Sequence, residues 1–146
     1  MKTHSVSLTL LAVLFTLAVS SAAFSADQPV VIVNASTEID TLEKGEAARI
    51  FLGRKTLWAS GSRIMPAMLS EKRPSSEAFI RTVLKRSVPQ YNAYWKRKLF
   101  SGGGAKPPVF RTSAEVAEFV ASTPGAIGVV DRAPQDVRIR IVELID

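Results

Sequence analysis

Histidine and cysteine supply most nucleophiles, general bases and soft-metal ligands, and this sequence has almost none of either: no Cys, and a single His, His4. His4 lies in an apolar leader, so the rest of the chain has neither. That removes Ser-His-Asp and Cys-His catalysis and nearly every zinc or copper site. Carboxylates and lysines remain for acid-base work. Asp40, Glu43 and Glu46 cluster, but at the expected start of a helix, where acids complement the helix dipole. Their spacing is not that of a calcium loop. The reading is non-enzymatic, with no catalytic residue, no metal and no cofactor.

The residues best suited to hold something are Lys72, Arg73, Ser75 and Ser76, in Lys-Arg-Pro-Ser-Ser-Glu. A helix is expected to begin at Ser75 or Ser76. Free N–H groups and the positive dipole end at such a start attract an anion. The hydroxyls add donors and Arg73 adds a charged fork. A plain serine cap beside a solvated basic loop accounts for the same spacing. Gly102-Gly103-Gly104 lacks the spacing of a phosphate-binding P-loop and follows no apolar strand, so it reads as a hinge or loop tip. Lys96-Arg97-Lys98 near Tyr91, Tyr94 and Trp95 imitates a nucleic-acid surface. Those aromatics, with Leu99, recur at core spacing, and the cations fall on the solvated face.

These groups need elements to position them. Pro29 to Asn34 is a β-branched run and reads as a buried strand. Leu42 to Leu52 reads as a helix. Glu43 is its N-cap, Glu46 the capping-box partner, and Leu42 and Ala47 form a hydrophobic staple. Gly53 stops it. Ser60-Gly61 marks a turn. Arg63 to Leu69 reads as a strand that Pro66 confines to an edge or a bulge. Two helices follow. The first buries Phe79, Ile80, Val83 and Leu84; the second is capped by Ser87 with Gln90. Thr112 or Ser113 opens a last helix with Val116, Phe119 and Val120 facing inward. Ala126 to Val130 and Val137 to Leu144 read as closing strands. The order β-α-β-α-α-α-β-β is an α/β layout.

The N-terminus carries Lys2, an apolar stretch from Val6 to Phe24, and the small residues Ala23 and Ser25 around Phe24. This is the pattern of a secretory signal peptide, with cleavage expected after Ser25. Residues 1–25 are thus read as a signal peptide and 26–146 as one domain, placed in the periplasm or outside the cell without stable membrane insertion. Without Lys2, 18 basic residues face 13 acidic ones, a net charge of about +5. Such a balance favours anionic partners, and export makes nucleic acid the least suitable of them. No disulfide can form, so the fold rests on packing.

Several segments together resemble a known family. They are Arg49-Ile50-Phe51-Leu52-Gly53-Arg54-Lys55 with Trp58 and Gly61, Glu77-Ala78-Phe79, Tyr91-Asn92-Ala93-Tyr94-Trp95 with Phe100-Ser101-Gly102, and Thr123-Pro124-Gly125-Ala126-Ile127-Gly128-Val129-Val130. From about Val30 to Val130 the chain resembles short, single-lobe relatives of the phosphate-type periplasmic substrate-binding proteins of ABC transporters. The resemblance implies a single lobe of a type II periplasmic-binding-protein-like fold: a small mixed sheet flanked by helices. It implies phosphate or a similar oxyanion as ligand, with Ser75 and Ser76, then Arg73 and Lys72, at the place of the family's Gly-Ser-Gly-Thr loop. It also implies a link to phosphate transport or sensing. Both glycines of that loop are missing here, and Pro74 removes an N–H donor. Full family members close two lobes over the ligand; this chain has length for one. The alternative is the same lobe without ligand, engaging an envelope protein or a second copy of itself.

Overall fold

The computed structural model describes residues 28–146; the expected signal peptide and its cut after Ser25 lie outside the described residues. Six strands form one mixed sheet: β1 (Val30–Asn34), β2 (Thr41–Glu43), β3 (Met65–Leu69), β4 (Val109–Phe110), β5 (Ala126–Val130) and β6 (Ile139–Ile145). Their order across the sheet is β2-β6-β1-β5-β3-β4. β1 is antiparallel to both of its neighbours, whereas β3 runs parallel to β4 and to β5.

Four helices cover the sheet: α1 (Lys44–Phe51), α2 (Pro74–Thr82), α3 (Val88–Phe100) and α4 (Ser113–Ser122). On one face α1, α2 and α3 bury Phe51, Phe79, Ile80, Tyr91 and Trp95 against Val31, Val33, Met68 and Val129. On the other face α4 buries Val116 and Val120 against Ile32, Ala67, Leu69 and Val130. The alternation within β1 and β3 is the period-two pattern of a sheet with a core on each face. Gly128 sits where α4 presses closest: a Cβ there would lie 2.7 Å from Val116 Cγ1 and 3.0 Å from Val120 Cγ2. Gly125, at φ +78, leads into β5, and a Cβ on it would lie 2.2 Å from the Arg63 carbonyl. The Pro-Gly-Ala-Ile-Gly block is thus dictated by a left-handed turn and a close helix.

The mixed α/β class and the sheet flanked by helices are as expected, with five differences. Leu42 is not helical. It lies in the short β2, opposite Leu144 of β6, so α1 begins two residues later. Glu43 caps α1 through its backbone alone, and Glu46 pairs with Lys55 and closes no capping box. β4 was not legible, because two residues give no periodicity to read. Leu99 is exposed and takes no part in the core. Pro66 lies in an inner strand, yet on its open side. Met65 N–H faces β5 through the Gly125 carbonyl at 3.1 Å, and Met68 N–H meets the Pro108 carbonyl at 2.9 Å only further along. The missing proline N–H points where β4 has not yet begun. Among the described residues no helix is long and apolar enough to cross a membrane.

Candidate functional site

Because β3, β4 and β5 are parallel, their carboxyl ends share one edge of the sheet, the edge at which open α/β folds hold ligands. α2 leaves that edge after β3, and α4 leaves it after β4 toward the opposite face. Arg73 is the extended N-cap residue of α2, and Pro74 takes the first helical position. No side chain caps α2, nor α1, whereas α3 and α4 are closed by full capping boxes, Ser87 with Gln90 and Thr112 with Glu115.

Arg73 reaches across the edge to Asp131, the residue that follows β5. Its Nη2 donates to Asp131 Oδ2 at 2.6 Å. The Arg73 side chain is half exposed, and that of Asp131 is 15% exposed. Ser113, the first residue of α4, donates its hydroxyl to Asp131 Oδ1 and accepts the Asp131 N–H at 3.0 Å. Burial acts to raise the Asp131 carboxyl. Hydrogen bonds from Ser113 and Arg73, the Arg73 charge and the Asp131 backbone N–H act against it and hold the group below the ordinary carboxylate range. Asp131 is therefore ionised at neutral pH and fixes one side of the guanidinium. The remaining donors of the fork are free to face solvent.

The local field is positive. Lys72, Arg73, Arg111 and Arg132 are exposed at the carboxyl ends of the three strands. The neighbouring acids are engaged: Glu115 accepts the Arg111 and Thr112 N–H groups at 2.9 and 3.3 Å, and Glu71 is held by Lys106 and by Asn92.

Of the four residues singled out from sequence, Arg73 and Lys72 stand at this edge and are exposed. Ser75 and Ser76 are fully buried, which corrects the expectation that both hydroxyls face an incoming anion. Pro74 starts α2 one position before Ser75, and the helical period puts Ser75 and Ser76 on the face of Phe79 and Ile80. Ser76 donates to the Leu69 carbonyl at 2.9 Å, whereas the Ser75 hydroxyl has no partner. Asp131, Ser113, Arg111 and Arg132 were missed. Their signal is position: Arg111 and Asp131 directly follow parallel strands, Arg132 comes next after Asp131, and Ser113 opens the helix after β4, a strand too short to read from sequence.

Solved structures with this fold are found among bacterial transport receptors. A protein of Clostridium perfringens, assigned as a phosphate ABC transporter substrate-binding protein and holding phosphate, matches with a TM-score of 0.63 at 14% identity over 80% of this chain and 44% of its own. This chain has the fold of the phosphate substrate-binding proteins. An ABC-type phosphate transport receptor of Vibrio cholerae shares that fold with a TM-score of 0.57 at 12% identity, over 79% of this chain and 45% of the receptor. PstS of Borrelia burgdorferi does so with a TM-score of 0.56 at 12% identity, over 80% and 47%. The chain spans less than half the length of each of these three proteins. No protein-family model matches the sequence, and no curated protein does.

Proposed function

We propose that this domain is an oxyanion-binding module of the solute-binding-protein type, exported and linked to phosphate uptake or sensing. The observation that carries the reading is the Arg73–Asp131 pair, seated with Ser113 at the carboxyl edge of three parallel strands. Arg73 offers a charged fork held in place, Lys72 and Arg132 add field, and the start of α2 at Pro74, which no side chain caps, adds its dipole. The phosphate held by the Clostridium perfringens protein, on the same fold, supports phosphate as the first oxyanion to try. The edge is open to solvent, so binding by this chain alone is weak, with a dissociation constant on the order of 1 mM.

The test is thermal unfolding across a phosphate titration at fixed ionic strength, with chloride as control. A ligand at 100 times its dissociation constant adds about 2.7 kcal/mol. A phosphate-dependent rise that Arg73→Ala abolishes supports the reading, and no rise contradicts it.

A second reading, a ligand-free module for an envelope partner or a second copy, is favoured by Phe100 and Leu99. They are 81% and 61% exposed at the end of α3, beside Lys96 and Arg97. It predicts a stable complex and no response to phosphate.

A further inference from the structure

At the other end of β3, away from Arg73, a cleft of about 430 Å³ opens where Met65 and Pro66 begin the strand. Its volume lies within the range of small-molecule pockets. Trp95, Ile64, Met65 and Pro107 give it apolar walls, and the Gly103-Gly104 backbone lines it as well. Lys55, Arg63 and Lys106 are the charged residues that line it, and no carboxylate does. Lys55 is paired with Glu46, and Lys106 with Glu71. Arg63 is exposed and, among the described residues, has no ion-pair partner. Its backbone is fixed by a bridge to Leu57, so the side chain is carried on a defined hairpin.

We propose that this cleft is a second binding site, one that takes a small aromatic anion. The ring packs against Trp95 and Met65, and a carboxylate or sulfonate meets the Arg63 fork. Apolar walls alone would accept a neutral ring equally well. The unpaired Arg63 charge, with no carboxylate lining the cleft, makes a negative group preferred, and arginine favours an acceptor that offers two oxygens to its fork. This site is separate in place and chemistry from the one at the α2 start, so either can fail without the other.

The experiment uses the two indole N–H signals of the ¹⁵N-labelled protein, which has two tryptophans. Trp58 donates its indole N–H to the Gly125 carbonyl at 2.9 Å, whereas the Trp95 N–H has no partner. Naphthalene-2-sulfonate is the probe, and naphthalene-2-sulfonamide is its neutral counterpart. The Trp95 signal is expected to move saturably with the sulfonate. The sulfonamide should bind at least tenfold more weakly, and Arg63→Ala should weaken the sulfonate at least tenfold. Arg63 is at the surface, so its loss leaves the core intact. A stationary Trp95 signal, an equal response to the neutral compound, or an unchanged affinity in Arg63→Ala would each overturn the proposal.

Discussion

Arg73 Nη2 and Asp131 Oδ2 meet at 2.6 Å across 58 positions of sequence. The contact joins the start of α2 to the end of β5, so it ties the proposed anion site to the sheet. Because the Asp131 carboxyl is held below its usual value of 3.8, the folded state keeps it ionised where the unfolded chain would protonate it. The pair therefore contributes stability above about pH 4, and that contribution disappears as pH falls through the folded-state value. Asp131→Asn is expected to cost about 1–2 kcal/mol at pH 7, since Arg73 is half exposed and well solvated. The difference from wild type should shrink as pH is lowered toward 2. Urea unfolding at a series of pH values measures both.

The two serines of α2 separate by their partners. Ser75→Ala removes a buried hydroxyl that bonds to nothing, so stability should stay within about 0.5 kcal/mol of wild type or rise. Ser76→Ala removes the bond to the Leu69 carbonyl and should cost about 1 kcal/mol. Denaturant midpoints of the two single variants make the comparison.

Gly128→Ala should be harsher than either. The added methyl meets Val116 at 2.7 Å and Val120 at 3.0 Å, and α4 must shift to admit it. Overpacking of this kind costs about 1–3 kcal/mol. The same change at Gly45, where a Cβ would meet nothing within 4 Å, should be neutral or stabilising by roughly 1 kcal/mol, because alanine is the better helix former. Thermal unfolding of the two variants gives the contrast.

What the sequence disclosed follows from range. The Ser87–Gln90 box, the Thr112 start of α4 and β5 at Ala126–Val130 are set by neighbours a few positions apart, and these were legible. β2 and β4 are held by partners: Leu42 is extended because it stands opposite Leu144, and Phe110 because its carbonyl receives the Ser70 N–H at 2.8 Å. No local pattern carries that information. The same holds for Asn34, whose amide donates to the Val120 and Ala121 carbonyls at 2.8 and 3.1 Å and so closes the end of α4, 86 and 87 positions away. In the candidate site Arg73 was legible as a charged residue ahead of a helix. Asp131 and Ser113, which hold it in place, became visible only once β3, β4 and β5 were aligned.

The most direct measurement is a phosphate titration followed through the backbone amide signals of the ¹⁵N-labelled protein at constant ionic strength. The account predicts saturable shifts concentrated at Ser70 to Ser76, Arg111 to Ser113 and Asp131 to Arg132, lost in Arg73→Ala. Shifts that fail to saturate, or that scatter over the basic surface of α3, would contradict it.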